Sequence, residues 1–495
     1  MKKHAVIIGA GLGGISAAIM LATRGFSVTI CERNDKIGGK LNYLDIHGFH
    51  FDLGPSILTL PNIFRYLFEK AGRCMEDYFE LQELDHHWRN FFEDGTTIDL
   101  FGDLDKTREN LGAVSPDMIG RFNRFYRYSK KQYELIERGY FRYGLDTALG
   151  FATHYSPFQI LKDLDIFRTM DRSVTGFFGT GHIHDMFNYF IKYVGSSALD
   201  APGFMNLMPY VQFGFGLWYV TGGMYSIARG FSRLLNELGV EVYTRCEVAE
   251  IRRKGKRVIG VSTQDNRQID ADVVISNMEV VPTCIHLLGR KEKDINKHRQ
   301  YEPSCSGLVI HLGIRKHYSQ LRHHNFFHAA DQRKHFHQVF QKKELPDDPT
   351  IYLVAPTVTD PSRAPKQHHI LKILPHIPHR TESHPYTLGD YRRLREKVFD
   401  KLERMGLSDL RNQIVVEHML TPVDIEDLYR SYRGSIYGTV SDRKLNFALK
   451  APKKSREYRG LYFVGGTVNP GSGMPMALLG GQKTAQRVIG DFTQE

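Results

Sequence analysis

The sequence predicts an α/β fold: a Rossmann-like dinucleotide-binding domain interleaved with a second, α+β domain. Three observations predict it. Residues 5–9 (AVIIG) form a short apolar run suited to a buried parallel strand. This run enters Gly9-Ala10-Gly11-Leu12-Gly13-Gly14, then a helical pattern ending at Gly25, then a second apolar run closing on Glu32. Far along the chain, LYFVGGTVNPGSGMPMALLGGQKTAQRVI (461–489) repeats the order of strand, glycine-rich loop and helix. The third observation is length: 495 residues exceed what one core holds.

Each part of the first motif has a physical task. Gly9 permits the tight turn, Gly11 lets backbone approach a pyrophosphate, and Gly14 lets the helix pack on the strand. The helix start, with Gly13, offers free amides and partial positive charge to phosphates. Glu32 stands where an acceptor for ribose hydroxyls is expected. Arg33 and the Ile37-Gly38-Gly39-Lys40 stretch add a second close backbone approach and cations for a diphosphate.

Between the two ends, 62–72 has helical spacing. Residues 88–101 read as a hairpin turning at Asp94-Gly95. An amphipathic, tyrosine-rich helix fills 115–138, and 139–151 is aromatic and glycine-rich. Residues 189–228 carry only Lys192 and Asp200 as charges. Prolines, glycines and scattered aromatics spoil a membrane-spanning helix there, and the stretch reads as an apolar substrate cavity, the alternative being plain core. A glycine turn and amphipathic helix follow (221–239). Residues 239–277 read as strand, strand, turn, strand, strand. Runs 306–314 and 349–356 are strands, 388–405 is a charged helix, and 420–429 is a turn and helix. His323 and His324 read as core hydrogen-bonding groups rather than proton donors.

Composition narrows the function. With 41% hydrophobic residues the chain is globular. Five scattered cysteines, without C-x-x-C spacing, fit a reducing compartment and argue against disulfides and zinc. No metal site is expected among the 23 histidines, none in H-E-x-x-H spacing. The net charge of +11 comes without a nucleic-acid recognition motif, so it reads as attraction to an anionic membrane surface.

The glycine pair behind Glu32, together with GFHFDLGPSILTLP (48–61), resembles the FAD fingerprint of the amine oxidase and phytoene desaturase superfamily. More specific stretches are GYFRYGLDT (139–147), YFIKYVGSSALDAP (189–202), LPDDPTIYLV (345–354) and ILPHIP (373–378). On these, nearly the whole chain resembles the bacterial carotenoid desaturase and oxygenase flavoproteins. The match is stronger to the branch that oxidises terminal methyl groups of C30 carotenoids, such as 4,4'-diaponeurosporene or diapolycopene, to aldehydes.

The resemblance implies a discontinuous FAD-binding domain (1–85, 221–300, 415–495) and a substrate and membrane-associating domain (86–220, 301–414). It implies that Gly54-Pro55-Ser56 lies near the flavin and that Val248 meets the adenine through its backbone. It also implies that Gly465, Gly466, Gly473 and Met474-Pro475-Met476 bring a strand end and a helix start to the ring. An apolar carotenoid, dioxygen or another electron acceptor, and a monotopic place on the inner face of the cell membrane complete the expectation. No catalytic residue set transfers. A carotenoid desaturase and a non-catalytic lipid-escort protein on the same fold remain the alternatives.

Overall fold

The computed structural model describes residues 2–146, 150, 153–156, 162–296 and 299–493. Of the 139–151 stretch, residues 147–149 and 151 therefore lie outside the described residues.

Strand His4–Ile8 is the centre of a five-stranded parallel sheet. Ser27–Cys31 pairs on one side of it and Val273–Ser276 on the other, in parallel register. Glu241–Tyr243 and Leu461–Phe463 form the edges. The runs are apolar because helices and loops cover both faces. Helix Leu12–Ala22 packs against helix Met474–Thr493, and the Ser16 hydroxyl donates to the Leu478 carbonyl at 2.6 Å. The N-terminal and C-terminal motifs are thus two halves of one unit. Residues 239–277 hold five strands, one more than the four read in the sequence. Val248–Lys254, Arg257–Thr263 and Gln268–Asp270 form a separate antiparallel meander.

The second unit is built on an eight-stranded, mainly antiparallel sheet. It contains the expected hairpin, His86–Phe91 with Thr97–Phe101, and Gly95 takes a positive φ of 85° at its turn. Strands Val309–Ile314, Ile351–Val354 and His369–Ile377 pair in its middle. Its other edge is Ile414–Leu420, paired with Val309–Ile314. A boundary at 415 therefore cuts a strand of this sheet, and the chain leaves the sheet only after Leu420. Helix Asp117–Ile136 forms where the amphipathic pattern stands, and helix Leu388–Arg404 where the charged helix was expected. The second is fixed by a capping box in which Thr387 and Asp390 exchange hydrogen bonds.

The apolar 189–228 stretch folds as short helical turns, helix Leu207–Phe215 and strand Trp218–Val220. Tyr189, Phe190, Ile191 and Tyr219 are fully enclosed in the main core. This segment is core, and none of its residues faces the large cavity described below. Its aromatic density is spent on packing, such as Phe190 stacked on Trp88 with centroids 4.0 Å apart.

Candidate functional site

A cavity of about 350 Å³ runs from the carboxyl ends of the parallel strands to the face of the second sheet. This is the position where open α/β sheets bind ligands. At one end Gly9, Gly11 and Gly13 line it beside Glu32 and Arg33. Gly9 has φ +91°, as the turn requires. A Cβ at Gly11 would lie 2.5 Å from Asn277 Nδ2, so a larger residue there must displace the Asn277 side chain. Asn277 Oδ1 accepts the Gly14 amide at 3.0 Å, and the Ile15 amide donates to the Gly11 carbonyl. The Gly13 amide is left without a backbone partner at the cavity wall, among the described residues. Gly14 itself does not line the cavity. A Cβ there would sit 2.4 Å from the Gly9 carbonyl, so its task is the helix–strand contact.

Glu32 is 6% exposed, and its carboxylate accepts the amides of Ala10 (2.7 Å) and Asn34 (2.8 Å). Burial raises its pKa, and those amides oppose the shift. Both oxygens keep acceptor capacity toward the cavity. The two expected phosphate cations are oriented differently from expectation. Arg33 donates to the carbonyls of Asp427 and Leu428, at the end of helix Pro422–Tyr429. Lys40 donates to Glu279 at 3.3 Å and to the carbonyls of Ser435 and Ile436. Both line the cavity, yet their charges tie it to the C-terminal segment rather than standing free.

Gly39 faces Gly11 so closely that a Cβ would be 3.1 Å from the Gly11 Cα. Gly54, Pro55 and Ser56 line the middle of the cavity. A Cβ at Gly54 would lie 1.7 Å from the Lys40 carbonyl oxygen, which locks that turn to the glycine pair. Val248 lines the first end with Cys246 and Glu247. Gly465, Gly466, Gly473 and Met474 also line the cavity, Gly465 beside Gly13, whereas Pro475 and Met476 lie in the helix's first turn and do not face it.

Residues that the sequence did not single out complete the walls. Val309, Tyr352, Val354, Lys372 and Leu374 come from three adjacent strands of the second sheet, and Tyr437 from the C-terminal segment. Lys372 is buried, and its ammonium donates to the Gly54 carbonyl and to Ser56 Oγ. Burial brings it down to about 8, opposed by the Asp52 carboxylate. Asn277 carries a legible signal: a polar residue just past a parallel strand, beside the glycine turn. Tyr352 and Lys372 carry none, because they sit in apolar runs.

His324 stays in the core, hydrogen-bonded to Tyr352 at 2.9 Å, and His323 to Thr359 at 2.7 Å. No group of three metal-ligating side chains is present among the described residues.

The glycine cradle, the Gly13 amide and the long cavity fit a flavin cofactor. The flavin containing amine oxidoreductase family matches residues 12–489. The chain belongs to that family. It is a flavin-dependent oxidoreductase. A 4,4'-diapolycopene oxygenase of a Methylomonas species is 51% identical over 491 residues, covering 99% of each chain. A 4,4'-diaponeurosporene oxygenase of Staphylococcus aureus is 45% identical over 489 residues, covering 99% of this chain and 98% of its own. A solved putrescine oxidase with putrescine bound is 14% identical, with TM-score 0.66 over 100% of both chains, and shares the fold.

Proposed function

We propose that this family member holds FAD in the cavity and oxidises the terminal methyl group of a C30 carotenoid, 4,4'-diaponeurosporene or diapolycopene, to the aldehyde. The observation that carries the reading is the end-to-end identity to two oxygenases named for such carotenoids. In this reading the Gly13 amide holds the diphosphate, Glu32 accepts from the ribose, and Val248 meets the adenine. Gly54–Ser56 and the start of helix Met474–Thr493 border the ring. When bound, FAD supplies the two-electron acceptor for hydride leaving the substrate. The helix start contributes partial positive charge where negative charge develops. Val309, Val354 and Leu374 give a polyene an apolar wall and keep water from its length.

The carotenoid is dissolved in lipid, and no helix among the described residues is long and apolar enough to cross a membrane. The protein then works from the surface of the inner leaflet. Helix Asp117–Ile136 supports this placement, since Arg124, Arg127, Lys130 and Lys131 are exposed along it. Phe167, at 60% exposure, is an apolar residue available for insertion.

Two measurements test the reading. Flavin released from purified protein is identified as FAD or FMN by chromatography. The loaded protein is then supplied with 4,4'-diaponeurosporene in vesicles, and aldehyde is trapped with hydroxylamine. Oxime formation is expected; FMN, or a polyene recovered only with added double bonds, contradicts it.

A further inference from the structure

A second, smaller chamber adjoins the flavin cavity at Lys372. Its volume is about 20 Å³, and Asp52, Ser56, Tyr219, His311, His323 and Lys372 give it a polar wall. Ser56, Val354 and Lys372 line both spaces and form the partition between them. A space of this size, faced by several polar groups, holds one water.

The side chains around the chamber are arranged to bind that water. Asp52 Oδ1 and His311 Nδ1 are buried without a hydrogen-bond partner among the described residues. Arg363 stands 3.5 Å from the other Asp52 oxygen, and His311 Nε2 lies 3.3 Å from the Asp52 carbonyl oxygen. That carbonyl makes Nε2 the donor and leaves Nδ1 an acceptor. Two buried acceptors left dry are costly, and folded proteins satisfy such atoms. Lys372 has three donor positions and spends two, on the Gly54 carbonyl and on Ser56 Oγ at 3.1 Å. One remains for the chamber.

The chamber also has a side that leads to solvent. Tyr219 is 1% exposed, and its hydroxyl donates to Asp360 at 3.0 Å. Asp360 is only half-buried. Burial keeps the flanking His311 and His323 neutral, so the charges that face Lys372 here are Asp52 and Arg363. With its amine near 8, Lys372 gains and loses a proton close to neutral pH.

Methyl oxidation needs such a path. When the hydride has left with its two electrons, to FAD and on to dioxygen or another acceptor, a water oxygen bonds the terminal carbon and one water proton is released. In the second step the hydroxyl proton is released as the aldehyde forms. Each proton is freed in a cavity walled by apolar strands.

We infer that Lys372, one chamber water, Tyr219 and Asp360 form a proton path between the flavin cavity and solvent, with Asp52 and His311 holding the water. Lys372 takes the proton on its amine and gives one to the water. Tyr219 receives a proton from the water and passes its own to Asp360. The inference rests on the methyl-oxidation reading for the source of the protons.

The test needs no carotenoid. The flavin-loaded full chain is reduced by light, freed of the photoreductant and mixed with ferricyanide, which takes electrons and no proton. The proton left behind must then reach solvent, where an indicator dye reports it near pH 8. In wild-type protein it should appear together with flavin oxidation. In Tyr219→Phe and in Lys372→Met, oxidation should keep its rate while proton release lags at least tenfold. Release in step with oxidation, in variants that retain flavin, overturns the inference. A crystal structure of the wild-type full chain decides the matter even if the variants do not fold. One water within hydrogen-bond reach of Lys372 and Asp52 is expected, and a dry chamber overturns the inference. A lag in the variants, with carotenoid returned free of added oxygen by wild-type protein, would keep the proton path and remove the methyl-oxidation reading.

Discussion

Asn277 Oδ1 accepts the Gly14 amide at 3.0 Å, and its amide nitrogen lies where a Gly11 side chain would have to go. The closing strand of the sheet therefore sets the floor of the glycine cradle. Gly11→Val should push the Asn277 side chain away or block the dinucleotide, and the purified variant should lose flavin at least tenfold relative to wild type. Flavin absorbance per chain measures this. A variant carrying stoichiometric flavin would refute the assignment of the cradle.

Lys372 gives a prediction in pH. Burial lowers its amine from 10.5 to about 8 in the folded chain. Between those values the unfolded chain holds a proton that the folded chain lacks, so stability rises with pH across that window. Below about pH 8 the group is protonated in both states and the burial cost is carried in full. Replacing it by methionine removes this dependence. The stability difference, wild type minus Lys372→Met, should rise by about 2 kcal/mol between pH 7 and 9.5. Denaturation of the two proteins at both pH values checks it, and a difference that does not move with pH contradicts it.

The strands and the two glycine motifs were legible because parallel strands buried on both faces read as apolar runs and because glycine suits the close approach of Gly11 and Gly39. Helix Leu388–Arg404 was legible as a charged helix, and its capping box appears only in the structure. The cavity's far wall was not. Val309, Tyr352 and Lys372 are separated in sequence and meet only through strand register, which local pattern does not encode. Residues 189–228 misled for a related reason: an apolar aromatic run reads the same whether its side chains pack on each other or border a ligand. Gly14, Pro475 and Met476 belong to the right motifs but serve packing and helix entry. Arg33 and Lys40 have the expected charge, and tertiary carbonyls determine where it points.

Membrane attachment should have two separable parts. Attraction of Arg124, Arg127, Lys130 and Lys131 to anionic lipid should weaken with salt, since the Debye length falls to about 3 Å at 1 M. Apolar insertion should survive salt and yield to detergent. Flotation with anionic and neutral vesicles measures both, and absence of binding to carotenoid-loaded anionic vesicles at low salt would remove the surface placement.

The source of the inserted oxygen is the next expectation. A terminal methyl group is conjugated to the whole polyene, so hydride loss leaves a positive charge spread over many carbons. Water can capture the terminal carbon and release a proton, giving the alcohol; once dioxygen or another acceptor has reoxidised the flavin, loss of a second hydride and of the hydroxyl proton gives the aldehyde. The chain carries one dinucleotide fingerprint, at residues 9–14, and no second one for a nicotinamide donor. Oxygen label should therefore arrive from water, with the product reduced promptly to limit exchange. Label arriving only from dioxygen contradicts this route.

The central claim is that the chain adds oxygen to a C30 carotenoid, and pigment mass tests it most directly. The full-length protein would be expressed in cells that make 4,4'-diaponeurosporene and no other carotenoid enzyme beyond that point. The account predicts a pigment in which one terminal methyl group has become an aldehyde, gaining one oxygen atom and losing two hydrogens. A pigment that has lost hydrogen without gaining oxygen, or one left unchanged by a flavin-loaded protein, would contradict it.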